Sequence, residues 1–273
     1  MKANEKQAAC RLKPPVQLYR DGYDTGERFI VEQLNQSDIF AFKVKRQSTN
    51  AVVWDTSIGG LFFADQFIQI AAFVGSSEIY GIGENIQHTL RQNVQDYHTW
   101  GIPARDNQPY SSSDGLGPYR RKNLFGMQPF YMAFERDYKA HGVLIFNSNP
   151  QDITIGPAPH LIYRTIGGML DIYFFPGPTP EDVIRQYTAL VGRPALPAYW
   201  ELGFQMSNSG WQNLTAMQNI VNDFNRLNIP LDVVYADIET MDGYEDFTIG
   251  YVNFAIVLYA FLISIYYHSI IVL

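Results

Sequence analysis

From Phe29 to about Ile172, apolar and polar residues alternate in short runs. "FIVEQL" and "IFAFKVKR" alternate as half-buried strands do, and "GLFFADQFIQIAAFV" is a longer apolar pair broken at "ADQ". "PFYMAFE", "GVLIFNSN", "DITIG", "HLIYRTIG" and "MLDIYFF" follow, separated by Gly, Pro, Asp and Asn. Many strands at close spacing, with no helical period between them, predict an antiparallel β-sandwich over residues 1–176. One stretch interrupts them, "RQNVQDYHTWGIPARDNQPYSSSDGLGPYRRKN". It is long, polar and rich in glycine and serine, and reads as a loop reaching away from its sheet, because loops of such length in compact domains are functional or disordered. "YGIGEN" lacks the following helix with Lys and Ser or Thr that a phosphate loop needs, so its glycines read as serving a tight turn.

The period then changes. "GPTPEDVIRQYTALVGRP" predicts a linking helix within 177–193, with Thr179 as N-cap, Pro180 at the first helical position, Glu181 and Asp182 in the first turn and Gly192 just past the end. Val183, Ile184, Tyr187, Leu190 and Val191 fall on its apolar face. "AYWELGFQMS" reads as a strand, "LTAMQNIVNDFNRLN" as a helix with Met217, Ile220, Val221, Phe224 and Leu227 on one stripe, and "IPLDVVYADI" as a second, nearly all-apolar strand. Strand, helix, apolar strand is a βαβ unit, so a second domain of α/β type opens over 194–250. Residues 251–273 carry no Asp, Glu, Lys or Arg. By length they are enough to cross a bilayer, which needs roughly 20 apolar residues.

Composition narrows the partners. The chain has 273 residues, 47% of them hydrophobic, with 18 Tyr and 18 Phe, which is ample for a large β-rich core. A net charge of -7 lacks the basic face that nucleic acid or anionic lipid requires, and a neutral sugar or other small molecule fits better. Cys10 is the only cysteine, which excludes a disulfide framework and a cysteine-rich metal site. His88, His98, His141 and His160 have no ligand spacing, so no metal site is read. The first residues, "MKANEKQAAC", contain no apolar run of signal-peptide type. Two sequons occur, at Asn35 ("NQS") and Asn213 ("NLT"). They are acceptors only in a secreted chain, and such tripeptides also arise by chance.

Several stretches between Val53 and Ala255 resemble one family. They are "DTSIGGLFFADQFIQI", "YGIGEN", "ARDNQP", the long block from "GVLIFNSNPQDITIG" to "GRPALPAYWELGFQMS", and "IPLDVVYADIETMDGYEDFT". Together they resemble the glycoside hydrolase family 31 α-glucosidases of maltase-glucoamylase and sucrase-isomaltase type. The resemblance implies a galactose-mutarotase-like β-sandwich followed by a (β/α)8 TIM barrel of which this chain holds only the first strands and helix. "YWELGFQMS" is then barrel strand one and "LDVVYADI" strand two. It also implies hydrolysis of terminal α-1,4-linked glucose from maltose-type oligosaccharides, with retention and without any cofactor, in the secretory pathway, at the cell surface or in the lysosome.

By the same resemblance, Asp237 of the "ADI" motif binds hydroxyls of the innermost sugar, Ile238 lines its pocket, and Asp106 of "ARD" is a second sugar ligand carried by the long loop. Without the resemblance, Asp237 reads as the cap of the following turn and Asp106 beside Arg105 as a surface ion pair. Retaining glycosidases need two carboxyl groups about 5 to 5.5 Å apart. The family's nucleophile lies in a "W-x-D-M-N-E" type motif that this sequence does not contain, so no catalytic residue is assigned. Asn208 and Ser209 stand where the family carries an Arg-Tyr pair of the pocket wall. The resemblance fades after "VNFA". Residues 251–273 are therefore expected to be non-family sequence of a truncated or mis-spliced form, with a membrane-contacting tail anchor second and a buried helix third. The start likewise reads as internal to the sandwich. The alternative to an α-glucosidase part is a non-catalytic, membrane-tethered carbohydrate-binding module.

Overall fold

A computed structural model describes residues 23–34, 40–85, 89–103, 123–211, 213–248, 250 and 270–272. The chain divides into two compact units, Met1–Arg193 and Pro194–Leu273.

The first unit holds β1 (Phe29–Leu34), β2 (Ala41–Arg46), β3 (Val52–Asp55), β4 (Phe62–Ala64), β5 (Phe67–Phe73), β6 (Ile79–Asn85), β7 (His98–Ile102), β8 (Asn123–Phe134), β9 (Ala140–Ile145), β10 (Gln151–Gly156), β11 (His160–Thr165) and β12 (Ile172–Phe175). A larger antiparallel sheet runs β1-β2-β3-β5-β11-β10-β7, with β4 added on β5, and a smaller one runs β12-β9-β8-β6. Val44, Trp54, Ile70, Ile153 and Tyr163 of the larger sheet form one buried cluster with Ile79, Tyr131, Val143 and Ile145 of the smaller. The two sheets are thus the halves of a sandwich.

Strand β9 shows how period-2 geometry builds a third layer. Val143 and Ile145 enter the inter-sheet core, while Ala140 and Leu144 join Phe130, Phe175 and Val183 in a separate cluster. Val183 belongs to α1 (Pro180–Val191), which covers this outer face of the smaller sheet. Gly142 permits the approach, since a Cβ there would lie 2.6 Å from Val183 Cγ1. Helix α1 starts as its sequence predicts: the Thr179 side chain accepts the Asp182 N–H, and the Asp182 side chain accepts the Thr179 N–H in return. Ile184, read into the apolar face, is 45% exposed, because the contact centres on Val183 and on the ring of Tyr187, 4.5 Å from that of Phe130.

Two segments differ from their sequence reading. The stretch taken as one long loop contains β7, where His98, Trp100 and Ile102 are buried and Thr99 and Gly101 exposed, paired in register with β10. Tyr80 also bridges Arg91 at the stretch's first residue. The glycines of "YGIGEN" lie within β6, not in a turn; the register against β8 shifts on either side of Gly83.

A polar cluster also lies inside the first unit. Arg46 is wholly buried, and its Nε and Nη2 donate to the Glu135 carboxylate at 2.6 to 3.1 Å. Its Nη1 donates to Glu27 at 3.1 Å and to the Pro176 carbonyl at 2.7 Å.

The second unit contains a 3-10 turn at Tyr199–Leu202, β13 (Gln205–Met206), α2 (Leu214–Arg226), β14 (Val233–Tyr235), a second 3-10 turn at Ile238–Thr240, and β15 (Ile270–Val272). All its strand pairs are parallel, in the order β13-β14-β15. The strand expected over "AYWELGFQMS" shortens to two residues. The amides of Glu201 and Gly203 are spent on the carbonyls of Ala198 and Trp200, leaving Gln205 and Met206 for the ladder. Leu214 and Met217 of α2 are buried with Val234, Ala236 and Trp211, and Ile220 and Val221 pack against them. Phe224 stacks on Phe204 at 5.9 Å. Leu227 lies past the last helical turn and is 56% exposed. Among the described residues no helix is long and apolar enough to cross a membrane. Residues 251–269 and 273 lie outside them.

Candidate functional site

Strands β13 and β14 run in the same direction, with Gln205 opposite Val233 and Met206 opposite Val234, so their carboxyl ends fall on one side of the sheet. The Tyr235 hydroxyl donates to Gln205 Oε1 and ties the two strands together at that end. The apolar run sinks Val233, Val234 and Ala236 into the core. The next residue, Asp237, is exposed. It therefore stands at the carboxyl end of a parallel strand, the side on which barrel enzymes place their sites.

The chain bends sharply there. Asp237 caps the 3-10 turn, its Oδ1 accepting the Ile238 N–H at 2.7 Å, while its carbonyl accepts from the Thr240 N–H at 2.9 Å and the Thr240 hydroxyl at 2.7 Å. Buried Thr240 thus fixes the Asp237 backbone. No described residue bonds the second carboxylate oxygen, which leaves that acceptor for a hydroxyl donor. Ile238 is 42% exposed beside it and supplies an apolar edge. Further on, the Thr248 hydroxyl accepts the Asp242 N–H at 2.8 Å and donates to the Glu245 carbonyl at 2.6 Å, closing the acid-rich loop on itself.

The remaining predicted residues divide by where they fall. Asp106 and Asn35 lie outside the described residues. Asn213 is the N-cap of α2. Asn208 and Ser209 are exposed, and Asn208 Oδ1 accepts the Gly210 N–H at 3.0 Å. Among the described residues no cluster of three or more His, Cys, Asp or Glu side chains could hold a metal ion. Glu239 has an Oε2 that is buried with no hydrogen-bond partner among the described residues. In the sequence it is one acid among several in a turn, and only the 3-10 geometry sets it apart.

The glycosyl hydrolases family 31 TIM-barrel domain matches residues 194–265. Intestinal sucrase-isomaltase of Rattus norvegicus is 45% identical over 211 residues, covering 77% of this chain and 11% of that protein. The chain belongs to glycoside hydrolase family 31. A second family 31 relative, the probable maltase-glucoamylase 2 of Homo sapiens, is 42% identical over 88% of this chain and 9% of its own length. The chain thus spans about a tenth of the length of these relatives. In fold it is similar to a family 31 dextranase of Flavobacterium johnsoniae solved with isomaltotriose, with a TM-score of 0.70 at 18% identity over 94% of this chain and 30% of that one. The family match reaches ten residues past Ala255, into the apolar segment.

Proposed function

We propose that the chain forms the sugar-holding start of an α-glucosidase that removes terminal α-1,4-linked glucose from maltose-like oligosaccharides. In this reading the sandwich is of galactose-mutarotase-like kind, and the βαβ unit with β15 opens a (β/α)8 barrel. The observation that carries it is Asp237: an exposed carboxylate, locked by Thr240 at the carboxyl end of a parallel strand, with one oxygen unbonded by any described residue. A charge-assisted hydrogen bond from a sugar hydroxyl to such an oxygen contributes about 1.5 to 3 kcal/mol in a pocket. Ile238 gives the sugar ring an apolar neighbour. Asp106 is the second carboxylate ligand, a role that rests on its "ARD" motif. The sequence contains no match to the nucleophile motif, so these residues bind and orient and the bond-breaking carboxylates are not among them.

Two observations favour assigning 251–273 to the barrel and not to a membrane: the family match runs to residue 265, and Ile270–Val272 pair in parallel with β14.

Titration of the full chain with maltose or an iminosugar tests the reading. Asp237→Asn keeps the turn cap and loses the charge, and is expected to weaken binding roughly 10- to 150-fold. Equal affinity of wild type and variant would refute the ligand role. Glucose released from maltose by this chain would overturn the statement that its carboxylates only bind. The same ligand residues would serve a non-catalytic sugar-binding module, and binding without glucose release in every longer form of the protein favours that second reading.

A further inference from the structure

We infer that Asn213 is an N-glycosylation acceptor, placed at the end of the parallel sheet where Asp237 stands. Asn213, Leu214 and Thr215 form a sequon, and the fold presents it in a particular way. Leu214 is buried in the core of the second unit, which anchors the tripeptide by its middle residue. Asn213 and Thr215 on either side are both exposed. The side chain of Asn213 is used by the protein on one atom: Oδ1 accepts the Ala216 N–H at 2.9 Å as the cap of α2. No described residue bonds its Nδ2.

That division leaves the nitrogen available for a second role beside the cap. Asn, Asp and Ser cap helices about equally well, so the cap alone does not call for an amide. N-glycosylation consumes only the nitrogen. Nδ2 forms a bond to C1 of the reducing-end sugar of a lipid-pyrophosphate-linked oligosaccharide, the C1–O bond to the pyrophosphate breaks, the pyrophosphate leaves with the electron pair, and Nδ2 gives up one proton. The carbonyl oxygen is untouched, so the cap hydrogen bond survives in the product. The folded unit accommodates the glycan without giving up a contact.

Topology supplies the location. Phe224 near the end of α2 stacks on Phe204 just ahead of β13, and Leu214 at its start clusters with Ala236 just past β14, so α2 runs back along the sheet and begins at the carboxyl end of the strands. A glycan on Asn213 therefore projects from the side of the sheet that carries Asp237.

The test uses the full chain behind a cleavable signal sequence, translated with endoplasmic-reticulum microsomes, with Asn35→Gln present to silence the other sequon. Signal cleavage in the same lanes reports entry into the lumen. The expected result is one endoglycosidase-sensitive mobility step that is kept in Thr215→Ser and lost in Thr215→Ala, a change that leaves the Asn213 cap in place. Peptide mass spectrometry of the untreated chain locates the glycan on Asn213. A signal-cleaved chain whose mobility endoglycosidase does not change would overturn the inference, as would a step that persists in Thr215→Ala.

Discussion

Replacing Arg46 by Met tests what holds the sandwich together. The guanidinium is wholly buried, forks onto Glu135 at 2.6 to 3.1 Å and lies 5.2 Å from the Phe29 ring centroid. It also donates to the carbonyls of Pro176 at 2.7 Å and Ala140 at 3.1 Å, joining β2 to the strand end of the smaller sheet and to the approach to α1. Met keeps most of the apolar stem and removes every donor. Among the described residues, buried Glu135 then keeps His141 Nδ1, 3.1 Å away, as its side-chain partner. Breaking a buried ion pair by removing one partner costs about 3 to 5 kcal/mol, chiefly through the stranded charge. Hydrogen exchange read by mass spectrometry on peptides of β2 and β9 should therefore accelerate roughly a hundred- to a few-thousand-fold where exchange follows opening of the sandwich. Adding Glu135→Leu should recover much of the loss, because the stranded carboxylate is gone. A single variant with near wild-type protection, or a double variant as unstable as the single, would show that the cluster does not act this way.

Acid should act on the same cluster. Burial works against the charge on Glu135, and the hydrogen bonds from His141 and Arg46 outweigh it, holding the carboxyl below its ordinary range. Glu27 is likewise opposed by partial burial, yet the bonds from Lys139, Ser48 and Arg46 bring it from 4.5 to about 2. Both pKa values are lower folded than unfolded. Their contribution is therefore complete above the unfolded value and lost as pH falls through the folded one. Protection of β2 should drop between about pH 4.5 and 2, and less steeply in Arg46→Met.

Three further substitutions probe close approaches and caps. Gly75→Ala would put a Cβ 2.2 Å from the Val52 carbonyl oxygen at a φ of +48°; the expected loss is about 1 to 3 kcal/mol in urea unfolding, and an unchanged midpoint would contradict it. Gly142→Ala would meet Val183 Cγ1 at 2.6 Å and should loosen α1 by roughly 1 to 3 kcal/mol, seen as faster exchange in that helix and relieved by adding Val183→Ala. Thr179→Ala removes the reciprocal cap of α1 and should cost about 0.5 to 2 kcal/mol, while Thr179→Ser should be nearly silent.

The elements legible in the sequence are those whose signal is local. β1 covers the six residues of "FIVEQL", and α1 begins and ends at the residues its capping chemistry names. β7 was hidden because its inward positions are filled by His98, Trp100 and Ile102, and because its partner β10 lies some fifty residues along the chain. β6 was hidden because glycine usually ends a strand. Here Gly81, with φ of +112°, lets β8 come close, and a Cβ would stand 2.6 Å from the Phe130 carbonyl. Neither contact has any local trace.

At the site, the two readings of Asp237 turn out to be compatible, which sequence pattern alone does not reveal. The end of an apolar run marks where a strand leaves the core, but not how its next side chain is held. In the fold, one oxygen of Asp237 is used on the Ile238 amide, and Thr240 fixes the backbone from both its amide and its hydroxyl. Capping is therefore what orients the carboxylate, and orientation is what a sugar ligand needs. Asp237→Ala removes both roles, whereas Asp237→Asn and Thr240→Val separate them: the first takes the charge and keeps the turn, the second keeps the charge and loosens the turn. If Thr240→Val weakens sugar binding while Asp237 is intact, the turn serves the site. If it does not, the cap is local structure that happens to share a residue with the proposed sugar site.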